Sequence, residues 1–474
     1  MKKFLYQEIA GKFARLIEDG TLKTGDKLPS IRSLSQEEHI SISSAYQAYI
    51  DLENKGLIEA RPKSGYYVSY SLRQLRKITK VDYRQIADNE QDRTLMEEVY
   101  AKLKAPDVVN LSINKPDSKI LPIVKLKNSL LKVIRKKPDA LLDYNHPFGN
   151  QELRRQIARI SFSAGILIDS EDIITTSGCL EAVAYAVWAT TNVGDAVAVE
   201  SPTYFGLFKA IRAAGRVPVE IATDPTNGID LEALKKQVTK HKIKACIVTS
   251  SFSNPIGANM PEDKRKQLVN LAERLNFFLI EDDIYGEIYF DESRLKACKA
   301  FDTKGRVLLC SSLSKTVAPG YRIGWIIPGD FKRAVLDYKL NHSVTTSSLT
   351  EIAMADFLAN GRYDLHMRSL RKSLHEQSLQ YLKALYDYFP DTIRVSQPKG
   401  GFVIWVELPQ NIDGAILYQK AIEQKVSVAP GQLFSQQQDL HNYFRLSFGT
   451  PFSDEVEQAL QRLGKLVANW TTEK

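Results

Sequence analysis

Val307-Leu-Leu-Cys-Ser-Ser-Leu-Ser-Lys-Thr-Val-Ala-Pro-Gly-Tyr-Arg-Ile-Gly-Trp325 decides how this chain is read. A short apolar run ends in small hydroxyls, a single lysine follows, and an arginine stands seven positions beyond it. That layout suits a phosphorylated aldehyde. Lys315 is placed to form a Schiff base, Ser312 and Ser314 to donate to phosphate, and Arg322 to clamp it bidentately.

Working outward, four more apolar runs end in a chemically useful group. Ile173–Ser177 leads into Gly178 and Cys179 and then a helical pattern carrying Ala182, Val183, Ala186 and Val187. The free N–H groups at such a helix start suit phosphate. Val197–Val199 ends near Tyr204, an aromatic able to lie on a ring, and the run from Cys246 ends at Asn254-Pro255. Phe277–Ile280 ends at Asp282, with Tyr285 three residues later. Apolar runs alternating with longer helical patterns over residues 105–474 predict an α/β fold, a mostly parallel sheet covered by helices. Ligands sit at the carboxyl ends of such strands.

In this order the motifs resemble those of fold-type I pyridoxal 5'-phosphate (PLP) enzymes, the aspartate aminotransferase superfamily, over about 370 residues. The resemblance implies PLP as cofactor, held as an internal aldimine by Lys315. It implies that Asp282 pairs with the pyridine nitrogen, that Asn254 and Tyr285 bond the phenolic oxygen, and that Tyr204 stacks on the ring. Ser177, Gly178, Cys179, Ser312, Ser314 and Arg322 would hold the phosphate. Tyr144, within Asp143–Gly149, would reach the phosphate of a partner subunit, so a homodimer is implied. Arg445, within Phe444–Gly449, would bind an amino acid's carboxylate. Lys315, Asp282 and Tyr285 would be the catalytic groups. One position departs from the family pattern. Ser112-Ile-Asn-Lys-Pro-Asp117 carries Asn114 where a glycine is usual; asparagine tolerates the same backbone region but adds a side chain to the substrate pocket.

Residues 1–70 read differently. Leu5, Ile9, Phe13 and Leu16 recur at helical spacing up to Asp19-Gly20. Ser30 can cap a short helix carrying Leu34, and Ser41 a third helix with Ala45, Ala48, Tyr49 and Leu52 inward, ending at Lys55-Gly56. Two short strands, Leu57–Ala60 and Tyr66–Ser69, complete a winged helix-turn-helix. Its third helix points Ser43, Ser44, Tyr46, Gln47 and Ile50 outward, the face that enters the major groove in such domains. Arg32 and Lys63 suit phosphate contact. The order of signals resembles the DNA-binding domain of the GntR family. Ile42 stands where many members place an arginine after the recognition-helix serine, here Ser41.

Composition sets outer limits. The 474 residues predict two or three domains, and hydrophobic and charged contents of 43% and 25% are those of a globular protein. The net charge of +8 permits a polyanionic partner, although the first 70 residues, with ten Lys/Arg and nine Asp/Glu, contribute only +1. Cys179, Cys246, Cys298 and Cys310 lack paired spacing, which argues against disulfides and zinc. No signal peptide or 18-residue apolar span is legible, so a cytoplasmic protein with no membrane partner is expected. Residues 71–104 read as a hydrated linker, with a large lobe at about 150–345 and a small lobe from about 105–120 and 346–474. A GntR-like winged helix joined to an aminotransferase-like domain resembles the MocR subfamily of transcription regulators. The resemblance implies a double-stranded DNA operator, PLP or its adduct with a small amino compound as the sensed effector, and aldimine formation at Lys315 as the sensing event. The alternative is a working aminotransferase with an appended DNA-binding domain.

Overall fold

The computed structural model describes residues 5–62, 64–69, 99, 107–359, 361–436 and 440–472. Lys63, and residues 71–104 apart from Val99, lie outside them. The N-terminal unit is α1 (Leu5–Glu18), α2 (Ile31–Glu37), α3 (Ile42–Asn54) and an antiparallel hairpin of β1 (Ile58–Arg61) and β2 (Gly65–Val68). The Ser30 and Ser41 hydroxyls accept from Ser33 N (3.1 Å) and Ser44 N (3.0 Å), satisfying helix-start donors as anticipated. Gly56, at φ +68°, ends α3. Ala45, Ala48, Tyr49 and Leu52 are all fully buried. In α1 the inward set is Ile9, Ala10, Phe13 and Ile17, while Leu5 is exposed. The sequence reading chose Leu16; the helix turns Ile17 inward instead.

β3 (Val109–Asn110), α4 (Ile123–Lys136) and α5 (Gln151–Ser161) lead into the large sheet. Then come β4 (Ile174–Thr176), α6 (Cys179–Thr190), β5 (Ala196–Ser201), α7 (Phe205–Ala213), β6 (Val217–Asp224), β7 (Gly228–Ile229) and α8 (Leu231–His241). β8 (Ala245–Val248), α9 (Glu262–Leu275), β9 (Phe278–Asp282), β10 (Val307–Ser312) and β11 (Gly324–Ile327) complete it. The eight strands run in the order β4-β11-β10-β9-β8-β5-β6-β7. β11 is antiparallel to both neighbours and β7 to β6; the other pairings are parallel. Central strands with every residue buried, such as β8, β10 and β11, are what a sheet covered on both faces requires.

α10 (Lys332–His342), α11 (Ser348–Ala359) and the 27-residue α12 (Arg362–Tyr388) follow. A smaller sheet of β12 (Arg394–Val395), β13 (Val403–Glu407), β16 (Tyr443–Ser447) and β15 (Ala429–Pro430) packs with α13 (Gly414–Glu423) and α14 (Asp454–Thr472). β14 (Val426–Ser427) pairs with β3, so the chain's entry into this region returns to the small lobe. Among the described residues no helix is long and apolar enough to cross a membrane, and all four cysteines are buried thiols.

Gly149 fixes how the loop before α5 meets β4. Its φ is +99°, and a Cβ there would lie 2.0 Å from Thr175 Oγ1. Gly149→Ala is expected to destabilise the chain by about 1–3 kcal/mol through overpacking and positive-φ strain. A lowered thermal midpoint measures this, and an unchanged midpoint refutes it.

Candidate functional site

All five predicted strand ends meet at one edge of the large sheet. Lys315, Asp282, Tyr285, Asn254, Tyr204, Cys179, Ser314, Arg322, Arg445 and Asn114 line a single cleft of about 330 Å³. Lys315 lies in the turn after β10, and its ammonium donates to the Asn114 carbonyl. Burial holds that ammonium down, to about 8, with Arg445 acting in the same sense and Asp282 opposing. Asp282 ends β9. Burial pushes its carboxyl up, to about 6, against the Cys179 thiol (3.2 Å), the Ile284 N–H (3.2 Å) and Lys315. The Cys179 side chain therefore faces the carboxylate, and only its main chain stands at the helix start.

Arg322 sits at φ +55° between β10 and β11. Its Nη2 donates to the Ser177 carbonyl at 2.7 Å, and its Nη1 lies 3.5 Å from Ser314 Oγ. Gly178 makes this possible, because a Cβ there would stand 2.2 Å from Arg322 Nη2. A Cβ on Gly324 would in turn press to 2.5 Å on the Gly178 carbonyl carbon. Ser177, Gly178, Ser314 and Arg322 are thus gathered at the start of α6. Ser312 is buried, and its hydroxyl accepts from Ser314 N at 3.3 Å, so it buttresses the turn from outside the cleft. One feature escaped the sequence reading: the Ser177 N–H already donates to the Glu181 carboxylate at 2.6 Å. An acid in a first helical turn was the available signal.

At the opposite end Arg445, 4% exposed on β16, donates to Asn254 Oδ1 at 2.8 Å and to the Ser112 carbonyl. Asn114 Nδ2 donates to the Tyr285 hydroxyl at 2.7 Å, and burial pushes that phenol upward. Asn114 Oδ1 is buried and has no hydrogen-bond partner among the described residues. The Tyr204 ring covers Gly206, where a Cβ would lie 2.3 Å from it.

Tyr144 is 85% exposed and does not line this chain's cleft. Its loop is nevertheless pinned. Fully buried Glu351 accepts from Asn145 Nδ2, from Asn150 N at 2.7 Å and from Thr346 Oγ1, while Ser348 Oγ donates to the Asp143 carbonyl at 2.7 Å. Glu351 lies some two hundred positions away in sequence, so no local signal pointed to it.

In the winged helix Arg32, Ser41, Ser43, Tyr46 and Gln47 are exposed and Ser44 is half-buried. Ile42, 58% exposed, opens α3. Two cations with no signal in sequence spacing stand at the hairpin: Arg61 of β1 and Lys27 of the loop before α2 lie 4.4 and 5.8 Å from the Tyr67 ring centre. The Ser64 hydroxyl, 2.7 Å from the phenol, and the two cations hold Tyr67 below its usual range.

Residues 106–463 match the family model for aminotransferase class I and II, and residues 5–68 that for bacterial regulatory proteins of the gntR family. Over 465 residues, 98% of each chain, this one is 36% identical to the uncharacterized HTH-type transcriptional regulator YjiR of Escherichia coli K12. The chain belongs to the MocR subfamily of GntR-type regulators. Its PLP domain is also 28% identical to aromatic-amino-acid aminotransferase 1 of Thermococcus litoralis, covering 78% of this chain and 90% of that one. A solved kynurenine aminotransferase of Pyrococcus horikoshii superposes with TM-score 0.73 at 29% identity, covering 81% of the regulator and 95% of that chain.

PLP is the cofactor of this fold, and the residues present fit it. An amine, a carboxylate and a guanidinium line one cleft, and Gly178 and Gly324 leave that guanidinium its place. The depressed ammonium of Lys315 gives a pH test on apo-protein. Its neutral, nucleophilic form is populated above about pH 8, not only above the usual lysine range. Covalent uptake of added PLP should therefore accelerate as pH rises through about 8 and then level. Asp282→Asn, which removes the opposing charge, should shift that rise to lower pH. A wild-type rise only near pH 10 would refute the assignment.

Proposed function

We propose that this chain is a transcription regulator that binds operator DNA through α3 and its hairpin. In this reading its aminotransferase domain senses a small amino compound at Lys315. One observation carries the reading: the complete lysine, carboxylate and two-arginine set shares a chain with an exposed, serine-capped recognition helix. When bound, PLP supplies an aldehyde carbon for amine exchange and an electron-withdrawing ring.

The chain's own groups do the rest. Lys315 would hold the cofactor covalently, a bond whose formation needs the neutral lysine, and would leave as the free amine when an incoming neutral amine takes its place. Asp282, buried beside Lys315, would keep a proton on the pyridine nitrogen. Arg322, Ser314 and the main chain of Ser177–Cys179 would bind the phosphate, with Ser312 bracing the turn. Tyr285 and Asn254 would orient the phenolic oxygen, and Tyr204 would cover the ring and exclude water. Arg445 would bind the effector's carboxylate, and Asn114 would narrow the space beside it. Tyr144, held outward by the Glu351 network, supports a homodimer in which each site borrows the partner's tyrosine. A DNA-bound role places the protein in the cytoplasm. The domains run over residues 1–70 and 105–474, joined by 71–104. The intact set of catalytic groups also supports a second reading, an active aminotransferase. Multiple turnover with amino-donor and keto-acid pairs, without specific DNA binding, would favour it.

Lys315→Ala should abolish borohydride-trappable PLP, whereas Arg445→Ala should retain it and weaken amino-acid-dependent spectral change by about 2–5 kcal/mol. Trapping in the lysine variant, or loss of PLP from the arginine variant, contradicts these roles.

Gln47→Ala should relax sequence preference, and Arg32→Ala should weaken all sequences alike and flatten the salt dependence. Electrophoretic mobility shifts on the chain's upstream DNA read both. Unchanged preference in Gln47→Ala would remove α3 from base reading.

A further inference from the structure

The positive charge of this regulator is concentrated away from its winged helix. The fifteen residues 123–137, IVKLKNSLLKVIRKK, hold six Lys/Arg and no acid, against a net +8 for all 474 residues and +1 for the first 70. They form α4 and its C-cap. Leu126, Ser129 and Val133 face the core, which turns Lys125, Lys127, Lys132, Arg135, Lys136 and Lys137 outward, and all six are exposed. Lys132 pairs with Asp356; among the described residues none of the other five has an ion-pair partner. Glu152, which shares a cleft with Lys132, Lys136 and Lys137, pairs with Arg155 instead. Lys125, Lys132 and Lys136 recur at seven and four residues, so they stand on one side of the exposed face. Ile123, Leu131 and Ile134 occupy the other.

α12 relates this ridge to the DNA-binding unit. Arg362, the first residue of α12, donates to the Ser129 hydroxyl of α4 at 3.4 Å. Gly56, which closes α3, packs so closely on Leu379 of the same helix that a Cβ there would lie 2.6 Å from its Cδ2. The seventeen helical steps from Arg362 to Leu379 span about 26 Å, less than one turn of duplex DNA.

We infer that the basic face of α4, led by Lys125, Arg135, Lys136 and Lys137, is a second DNA contact that takes the phosphate backbone flanking the operator. It carries no base-reading geometry. Its contribution is sequence-independent, through release of the duplex's counterions. The inference rests on the proposed regulator reading, because it needs the winged helix to bring DNA to the chain.

The test compares full-length, PLP-loaded protein with its K125Q/R135Q/K136Q/K137Q variant. One duplex covers the operator alone, and another carries about two further helical turns on each side. Wild type should bind the longer duplex more tightly and with a steeper salt dependence. The variant should lose that difference, its log–log salt slope falling by about 3–4 for four lost contacts, while short-duplex affinity and the PLP spectrum stay unchanged. No specific binding by wild type to either duplex would sink the regulator reading itself. Equal slopes for variant and wild type on the long duplex would overturn only the second contact. So would dissociation of the variant into monomers with per-dimer affinity unchanged, which would assign α4 to the subunit interface. Loss of binding to phosphatidylglycerol vesicles without loss on DNA would assign it to a membrane surface.

Discussion

Arg322, Gly178 and Gly324 meet at a spacing that admits no methyl group. β11 runs antiparallel between β4 and β10, so its first residue presses directly on the main chain that opens α6. That approach puts a guanidinium beside a helix N-terminus. It also orders the turn carrying Ser314 and Lys315. Everything else at the cleft is measured from this corner: the reach of Lys315 to the Asn114 carbonyl, the place of Asp282 on the neighbouring strand, and the distance left for a ring. Interiors packed at crystal density transmit small displacements, so the corner has little freedom to drift.

Charge balance in the cleft follows from burial more than from pairing. Arg445 and Arg322 disfavour the charge on Lys315, Asp282 offsets part of this, and removal from water drives both the amine and the acid toward neutrality. A lysine left exposed would remain protonated and unreactive. Surrounding it with apolar walls and two arginines gives a nucleophile near neutral pH without a dedicated base.

The architecture was legible because strand ends carry local signatures. Apolar runs closed by Ser-Gly, Pro-Thr-Tyr, Asn-Pro, Asp or Ser-x-Ser-Lys each announce a strand followed by a polar turn, and all five converge. The serine caps of α2 and α3 were legible for the same reason: a hydroxyl three residues before an amide is a short-range event. Long-range choices were hidden. Whether α1 buries Leu16 or Ile17 depends on the position of α3, not on the spacing within α1. Glu351 pins the Tyr144 loop through partners some two hundred positions distant. Glu181 takes an amide that spacing alone leaves open for phosphate. Arg61 and Lys27 converge on Tyr67 only once the hairpin has closed. Lys63 lies outside the described residues.

The carbonyl of Ser112 accepts from Arg445, and the carbonyl of Asn114 accepts from Lys315. The segment between β3 and Pro116 therefore competes with a ligand's carboxylate for Arg445 and with the cofactor's aldehyde for Lys315. A carboxylate arriving at Arg445 exchanges a neutral acceptor for a charged one, so the net gain is the difference between two hydrogen bonds and not a whole ion pair. Ligands without a carboxylate have nothing to offer in that exchange. Selectivity at this end of the cleft is set by the rival the chain itself supplies, two carbonyls on one short stretch of main chain.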